Sequence, residues 1–351
     1  MLTIQMPVET VGSIASDLKP GDHPYLTGAF APNLTEINAT EMQVIGRIPD
    51  DIDGVYLRNT QNQIHQPLGR FHPFDSDGML HMMRFRNGRA EYRNRAIRTT
   101  GFEAERAVGH SLWAGLMEAP AKSRPGWGAH GFLKDASSTD VVVHAGRALT
   151  TYYQCGEAYR LSATTREQFG PETWGGSYPR EGISAHCKVD EHTGELLFFN
   201  YSKQAPYMHY GVVGADNQLK HYVPVPLPGP RLPHDMAFTA KYSILNDFPL
   251  FWDPEMLTRN LHVVRFHPEL KSRFAVIPRY GSKSPFAPRI NARDEDDGYL
   301  VSFITDMKND RSECWLIDAK RLTDGPVCRV ILPHRIASGT HSTWAPGHLL
   351  T

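Results

Sequence analysis

Short runs of alternating apolar and polar residues, separated by Gly, Pro, Asn and Asp, recur along most of the chain. Residues 54–59 and 298–306 show this alternation, which is typical of half-buried β-strands. Residues 79–97 and 140–154 are longer. Each has a turn pair near its centre, Asn87-Gly88 in one and Ala145-Gly146 in the other. Each is therefore predicted to be a β-hairpin.

Helical periodicity is scarce: the best candidates are residues 102–117 and 253–261. Many strands with few helices indicate an all-β fold. Propeller blades are about 40 to 50 residues long, so a β-propeller suits a chain of 351 residues. A pair of sandwiches or a β-helix remains open, because no clean repeat is visible. No low-complexity linker divides the chain, which predicts a single domain over residues 1–351.

The charge balance argues against a nucleic-acid-binding protein. Lys and Arg number 37 and Asp and Glu number 38, so no basic field is available to hold nucleic acid. Four Cys without a CxxC pair suit a reducing compartment. The first residues lack a signal-peptide pattern, and no apolar run is long enough to span a membrane. A cytoplasmic location is expected.

Three histidines have spacings that fit a propeller. His186 lies in ISAHCKVDEHTGEL, just before a predicted turn, His234 in LPHDMAFT and His341 in SGTHSTW. A lone His is more often structural than functional. However, the two spacings are about one and two blade lengths, and equivalent positions on successive blades face the same axis. Imidazoles without carboxylates suit iron and leave positions for dioxygen or substrate.

Five ordered blocks of sequence resemble the signatures of the carotenoid cleavage oxygenase family, and the resemblance covers nearly the whole chain from residue 22 onward. The blocks are FHPFDSDGMLH, SAHCKVDEHTGEL, LPHDMAFT with NDFP, FAPRINARDEDDGYLVSF and LPHRIASGTHSTW. The family includes apocarotenoid oxygenases, plant carotenoid cleavage dioxygenases, lignostilbene dioxygenases and a retinoid isomerase.

The resemblance implies a seven-bladed propeller under a small dome of helices and loops. On its axis, four histidines hold a non-haem Fe²⁺ that works with dioxygen. The implied reaction is cleavage of a conjugated C=C bond of a carotenoid or apocarotenoid into two carbonyl products. By motif, His186 resembles the first iron ligand, His234 the second and His341 the fourth.

The block that carries the third ligand has no counterpart here. The stretch RFAVIPRYGSKS runs directly into SPFAPRINARDEDDG, which resembles a much later block. An internal deletion near residues 280–284, on the order of two to three blades, is therefore expected. The propeller would then be incomplete or have fewer blades, and function would be impaired. His262 and His267 lie in the right interval, but their surroundings resemble the strand before the missing block.

The residues that hydrogen-bond the iron ligands, the outer shell of the site, also differ from those of the family. Family ligands donate their free ring N–H to glutamates, and the position matching one of these is Gln154, with Glu157 three residues on. Lignostilbene enzymes have a Lys before that Glu to bind the phenolate, whereas this chain has Tyr153. This favours an apolar polyene over a phenolic stilbene.

Two alternatives to a working carotenoid oxygenase remain open: a catalytically silent propeller that binds an apolar ligand or a protein, and a stilbene-cleaving oxygenase. A further alternative concerns Trp113, Leu116, Met117 and Trp127. They form either a dome element packed on the propeller or an apolar mouth that makes peripheral contact with a membrane.

Overall fold

The computed structural model describes residues 7–118 and 133–280, apart from positions 20, 22, 41, 166, 254, 257, 258 and 260–262, and residues 297–333, apart from 307 and 310. The chain divides into two compact units, Met1–Ser282 and Lys283–Thr351. Within the described residues, nearly all regular structure is antiparallel β-sheet, as the alternation predicts.

The first unit begins with a five-stranded sheet in the order β1-β2-β5-β4-β3. Its strands are β1 (Val8–Ser13), β2 (Thr35–Ala39), β3 (Gly54–Asn62), β4 (Asp77–Arg86) and β5 (Arg89–Ala96). The predicted hairpin at Asn87-Gly88 is confirmed, since both residues have positive φ, 51° and 67°, as a primed turn requires.

Two four-stranded sheets follow, each with its strands in chain order. The first contains β6 (Asp140–His144), β7 (Arg147–Thr151), β8 (Tyr159–Ser162) and β9 (Gln168–Pro171). The second contains β10 (Lys188–Asp190), β11 (Glu195–Tyr201), β12 (Met208–Val213) and β13 (Leu219–Pro224). The predicted turn at Ala145-Gly146 joins β6 to β7, again with positive φ at both residues.

The last sheet of this unit has three described strands, β14 (Met236–Phe238), β15 (Tyr242–Asp247) and β18 (Arg273–Pro278). A separate hairpin of β16 (Leu250–Trp252) and β17 (Val264–Phe266) lies between β15 and β18 in the chain. In the second unit, β19 (Tyr299–Asp306), β20 (Arg311–Asp318) and β21 (Pro326–Ile331) form a three-stranded sheet.

One α-helix, α1 (Thr100–Val108), occurs where the sequence predicts residues 102–117. Thr99 Oγ1 caps its start by accepting a hydrogen bond from the Phe102 N–H at 3.0 Å. The predicted length was wrong, because Gly109 adopts a left-handed conformation (φ 75°) that ends the helix. Most of the second predicted helix, residues 253–261, lies outside the described residues.

One edge strand of each of these four sheets contacts an edge strand of the next: β3 with β6, β6 with β10, and β10 with β14. The cores lie between successive sheets. Leu197 and Phe199 of β11 pack towards the sheet of β14, while Leu196 and Phe198 pack towards the sheet of β6. Sheets packed face to face around these edge strands have the geometry of propeller blades.

Gly211 tests this packing, because it lies opposite Phe198 across the β11–β12 ladder. A Cβ at this position would lie 2.3 Å from Cζ of Phe198. We expect Gly211→Ala to lower the free energy of unfolding by about 1 to 3 kcal/mol, the usual cost of overpacking. Gly54→Ala is the matched control, since a Cβ there meets no atom within 4 Å. Urea denaturation that shows equal stability for the two variants would contradict this account.

Candidate metal centre

His186 and His234 occupy equivalent places in consecutive sheets. Each lies two residues before the first strand of its sheet, β10 for His186 and β14 for His234. The short strand β10 thus lies between His186 and the turn predicted directly after it. The ring centroids are 4.5 Å apart, with an interplanar angle of 54°. Because β10 contacts β14, the fold brings these two imidazoles together.

His341, the third sequence-predicted ligand, lies outside the described residues. Across the described ranges, no group of three His, Cys, Asp or Glu side chains is placed so that it could hold a metal ion. The structure therefore supplies one pair of imidazoles for the predicted site.

Asp140, which sequence reasoning missed, contacts His186. Asp140 is the first residue of β6, and its Oδ2 accepts a hydrogen bond from His186 Nδ1 at 3.0 Å. The His186 side chain is 13% exposed and that of Asp140 is 37% exposed. A carboxylate on one ring nitrogen orients the imidazole and leaves Nε2 as the nitrogen through which it would bind a metal.

The backbone beside His186 is fixed from the same sheet. Thr151, the Cα partner of Asp140 across β6 and β7, donates its hydroxyl to the carbonyl of Ala185 at 2.8 Å. Thr151 thus holds the main chain at Ala185, and its register partner Asp140 holds the ring of His186. This double contact limits both translation and rotation of His186.

An ion pair joins the segments that carry the two histidines. Lys188 Nζ lies 2.6 Å from Asp235 Oδ1, with the two side chains 30% and 23% exposed. Burial alone would raise the pKa of Asp235, but the hydrogen bond and charge of Lys188 lower it below the ordinary value. The pair connects β10 to the segment before β14 and so stabilises the approach of the two rings.

The predicted outer-shell residues Gln154 and Glu157 lie in the turn after β7. Glu157 Oε2 accepts a hydrogen bond from the Tyr159 hydroxyl at 2.9 Å. The backbone N–H of Glu157 donates to Asp135 at 2.6 Å, and the Asp135 carboxylate lies so close to Gly156 that a Cβ would meet it at 2.4 Å. This turn is therefore organised around Asp135.

Tyr153 lies beside the same turn. Its ring forms edge-to-face contacts with Tyr152 and Phe74, at centroid distances of 4.9 and 5.3 Å. Its backbone N–H donates to Thr139 Oγ1 at 3.1 Å, next to Asp140. Burial raises the pKa of the Tyr153 hydroxyl. The position offers an aromatic surface.

The four apolar residues predicted to form a mouth do not form one exposed surface. Trp113 is buried, at 5% exposure, and Leu116 is half-buried with its N–H donating to Asp75 Oδ1 at 2.8 Å. Only Met117 of the three described residues is well exposed, and Trp127 lies outside the described residues. Trp113 is thus a packing residue, as the dome alternative predicts. The described helices include no segment long and apolar enough to cross a bilayer.

His267 does not join the pair. Its ring stacks on Phe251 with centroids 4.0 Å apart, and its Nδ1 contacts Glu269 at 2.9 Å. His262 lies outside the described residues.

Of the predicted ligands, the structure describes His186 and His234, and this pair suits ferrous iron. Two imidazoles on adjacent strand approaches, one of them oriented by a carboxylate, are a donor set that iron accepts. His186 and His234 would hold the ion, and Asp140 would hold the proton on Nδ1 of His186.

The family model for the retinal pigment epithelial membrane protein matches residues 30–285 and 282–346. A carotenoid 9,10(9',10')-cleavage dioxygenase of Pisum sativum is 30% identical over 74% of this chain and 50% of its own length. A carotenoid cleavage oxygenase of Mycobacterium tuberculosis is 34% identical over 66% of this chain and 44% of its own. The chain therefore spans about half the length of the curated relatives it matches.

Isoeugenol monooxygenase of Pseudomonas nitroreducens is 30% identical over 74% of this chain and 54% of its own. Among solved structures, the lignostilbene dioxygenase of Pseudomonas brassicacearum superposes with a TM-score of 0.66 at 19% identity, covering 93% of this chain and 99% of that one. The predicted propeller fold is confirmed by this likeness and by the order of the sheets.

Asp135 makes the turn at residues 154–157 sensitive to pH. Burial raises its pKa to about 7, against the opposing effect of the Glu157 N–H. Between about pH 4 and 7 the folded protein therefore holds a proton that the unfolded chain has released, so stability falls as pH rises through this interval and levels off above it. We expect Asp135→Asn to flatten this slope in melting temperatures recorded from pH 4.5 to 8. Asp51→Asn, at an exposed position, should keep the wild-type slope, and equal slopes in all three proteins would contradict the assignment.

Proposed function

Because the chain belongs to the carotenoid cleavage oxygenase family, that of the retinal pigment epithelial membrane protein, we propose that it is a non-haem iron(II) oxygenase. In this proposal it uses dioxygen to cleave a conjugated C=C bond of a carotenoid or apocarotenoid. The observation that carries the proposal is the pairing of His186 with His234, 4.5 Å apart, on the approaches to two neighbouring sheets. Their blocks are those that the family resemblance assigns to the first and second iron ligands.

Each residue of the site has a separate role in this proposal. His186 and His234 bind the ion, and a contribution from His341 stays a prediction of the family resemblance. Ferrous iron, when bound, supplies the one-electron chemistry that dioxygen requires. Asp140 holds a proton on Nδ1 of His186, while Lys188 and Asp235 keep the two ligand segments together.

A lipophilic substrate is supported by the names of the relatives and by the surroundings of Tyr153. Where a phenolate-binding enzyme of this family has a cation, this chain presents a partly buried tyrosine against Phe74 and Tyr152. An aromatic surface suits an apolar polyene better than an anion.

A second candidate, cleavage of the side chain of a phenolic alkene or stilbene, is favoured by the similarity to an isoeugenol monooxygenase. The two candidates predict different products. Incubation with an apocarotenal and, separately, with isoeugenol or a hydroxystilbene distinguishes them, and an iron-free, inactive protein would favour a silent binding propeller.

The internal deletion remains part of the proposal. It is supported by the two stretches of the family match, which meet at residues 282–285. It is also supported by the sheet of β14, β15 and β18, which has three described strands where the two sheets before it have four. Loss of the third ligand should weaken iron binding, because fewer oriented imidazoles hold the ion. A cytoplasmic location likewise remains a prediction; it accords with four free cysteines.

The first functional prediction concerns metal content. After anaerobic loading with Fe²⁺ and desalting, the protein should retain less than one equivalent of iron, and His186→Ala or His234→Ala should retain none, since each removes a direct ligand. His192→Ala, in the exposed turn before β11, is the control and should match wild type. A full equivalent in wild type would contradict a three-imidazole site, and retention by both ligand variants would refute the assignment.

The second functional prediction concerns the missing segment. Inserting the family's corresponding residues between Gly281 and Ser282 should raise the melting temperature, because added strands would pair the outer edge of β18. It should also raise iron occupancy and oxygen-dependent cleavage of an apocarotenal, both of which should be lost again in His186→Ala. If the native chain cleaves the polyene as fast as the extended chain, the deletion has no functional consequence.

A further inference from the structure

We propose that Asp140 is a positioning residue that presets His186 for metal binding by fixing its tautomer and its ring orientation. The inference rests on the proposed function, because it takes His186 to be an iron ligand. The family resemblance placed the hydrogen-bond acceptor of a ligand histidine at position 154, after β7, where this chain has Gln154. Asp140 is a second acceptor, and it lies at the start of β6.

The first step is that Asp140 is itself fixed. Its backbone carbonyl accepts a hydrogen bond from Asn59 Nδ2 at 3.1 Å, which ties β6 to β3. Its Oδ1 accepts from the Val141 N–H at 2.7 Å, so the carboxylate has one oxygen committed to its own strand. The other oxygen, Oδ2, is the one that contacts His186.

The second step concerns the proton. An ionised carboxylate can only accept hydrogen bonds, so the 3.0 Å contact requires the proton of a neutral imidazole to be on Nδ1. Nε2 then carries the lone pair that a metal needs. A neutral His in water favours neither tautomer strongly enough to guarantee this, and the carboxylate removes the need to change tautomer on binding.

The third step concerns orientation. Thr151 holds the Ala185 carbonyl at 2.8 Å, and Asp140 holds the ring of the next residue. Because Thr151 and Asp140 are register partners in one sheet, both contacts come from the same place in that sheet. His186 is thereby oriented from the neighbouring sheet, and the entropy cost of ordering its ring is met before the ion arrives.

The experiment uses Co²⁺ as the probe, titrated into metal-free protein and followed by its visible d–d absorption. Wild type should bind, and His186→Ala should lose the signal. Asp140→Ala should weaken Co²⁺ binding by about 10- to 100-fold, the usual effect of removing an outer-shell partner. Asp140→Asn keeps an acceptor for the Nδ1 proton and should fall between the two. Asp216→Asn, an exposed carboxylate in the turn before β13, is the matched control and should bind as wild type.

The outcomes separate the two proposals. If wild type binds no Co²⁺, or His186→Ala binds it unchanged, both the metal centre and the role of Asp140 are overturned. If His186 is required but Asp140→Ala binds as tightly as wild type, with an unchanged absorption spectrum, only the positioning role is overturned.

A second measurement needs no change at Asp140. Long-range ¹⁵N–¹H correlation on metal-free protein, with the His186 signals identified by their absence in His186→Ala, reports the tautomer directly. We expect the proton on Nδ1 at a pH where the ring is neutral. A proton on Nε2 would overturn the proposal even if the Asp140 variants failed to fold.

Discussion

The burial of β11 on both faces is the constraint on which the first unit depends. Its run of Leu196, Leu197, Phe198 and Phe199 is fully buried, and alternate residues enter two different cores. A strand that is apolar on both faces must be covered on both sides. The sheet of β11 is therefore enclosed between the sheets of β6 and β14, and this enclosure fixes the spacing of their first strands.

The candidate site follows from that spacing. Once three sheets are packed face to face, β6, β10 and β14 become neighbours, and the residues at or just before the start of each strand come together. The residues at those places are Asp140, His186 and His234. None of these three residues belongs to the two cores on either side of β11. Other residues therefore maintain the packing, and these three are available to bind a metal.

Local sequence was informative where local chemistry decides the structure. Asn87-Gly88 and Ala145-Gly146 fixed two hairpins, because few residues adopt positive φ in a primed turn. The pairing of His186 with His234 could be anticipated from blade-length spacing and family motifs. The contact of Asp140 with His186 could not, since the residues belong to different sheets and a Thr-Asp before an apolar run indicates only the start of a strand. Trp113 was ambiguous because burial depends on tertiary packing, which periodicity does not report.

The position of Asp140 depends in turn on a buried charge cluster at the start of its segment. Lys134 Nζ contacts Asp77 and Glu105 at 2.9 and 2.7 Å, with all three side chains nearly inaccessible. Burial alone would lower the pKa of Lys134, but the two carboxylates raise it, so the amine stays charged. Removing Lys134 would leave two buried carboxylates without their cation, which is strongly destabilising.

This cluster therefore holds residue 134 firmly against β4 and α1. From there, Ser137 Oγ contacts Thr150 Oγ1 at 2.8 Å, and Asn59 donates to the carbonyls of Ser137 and Asp140. The segment leading to Asp140 is thus fixed at each end. Asp140 is therefore held through its own backbone and its neighbours, although its side chain is 37% exposed. The charge cluster is remote in sequence from the histidines, yet a continuous series of contacts connects it to the carboxylate that holds His186.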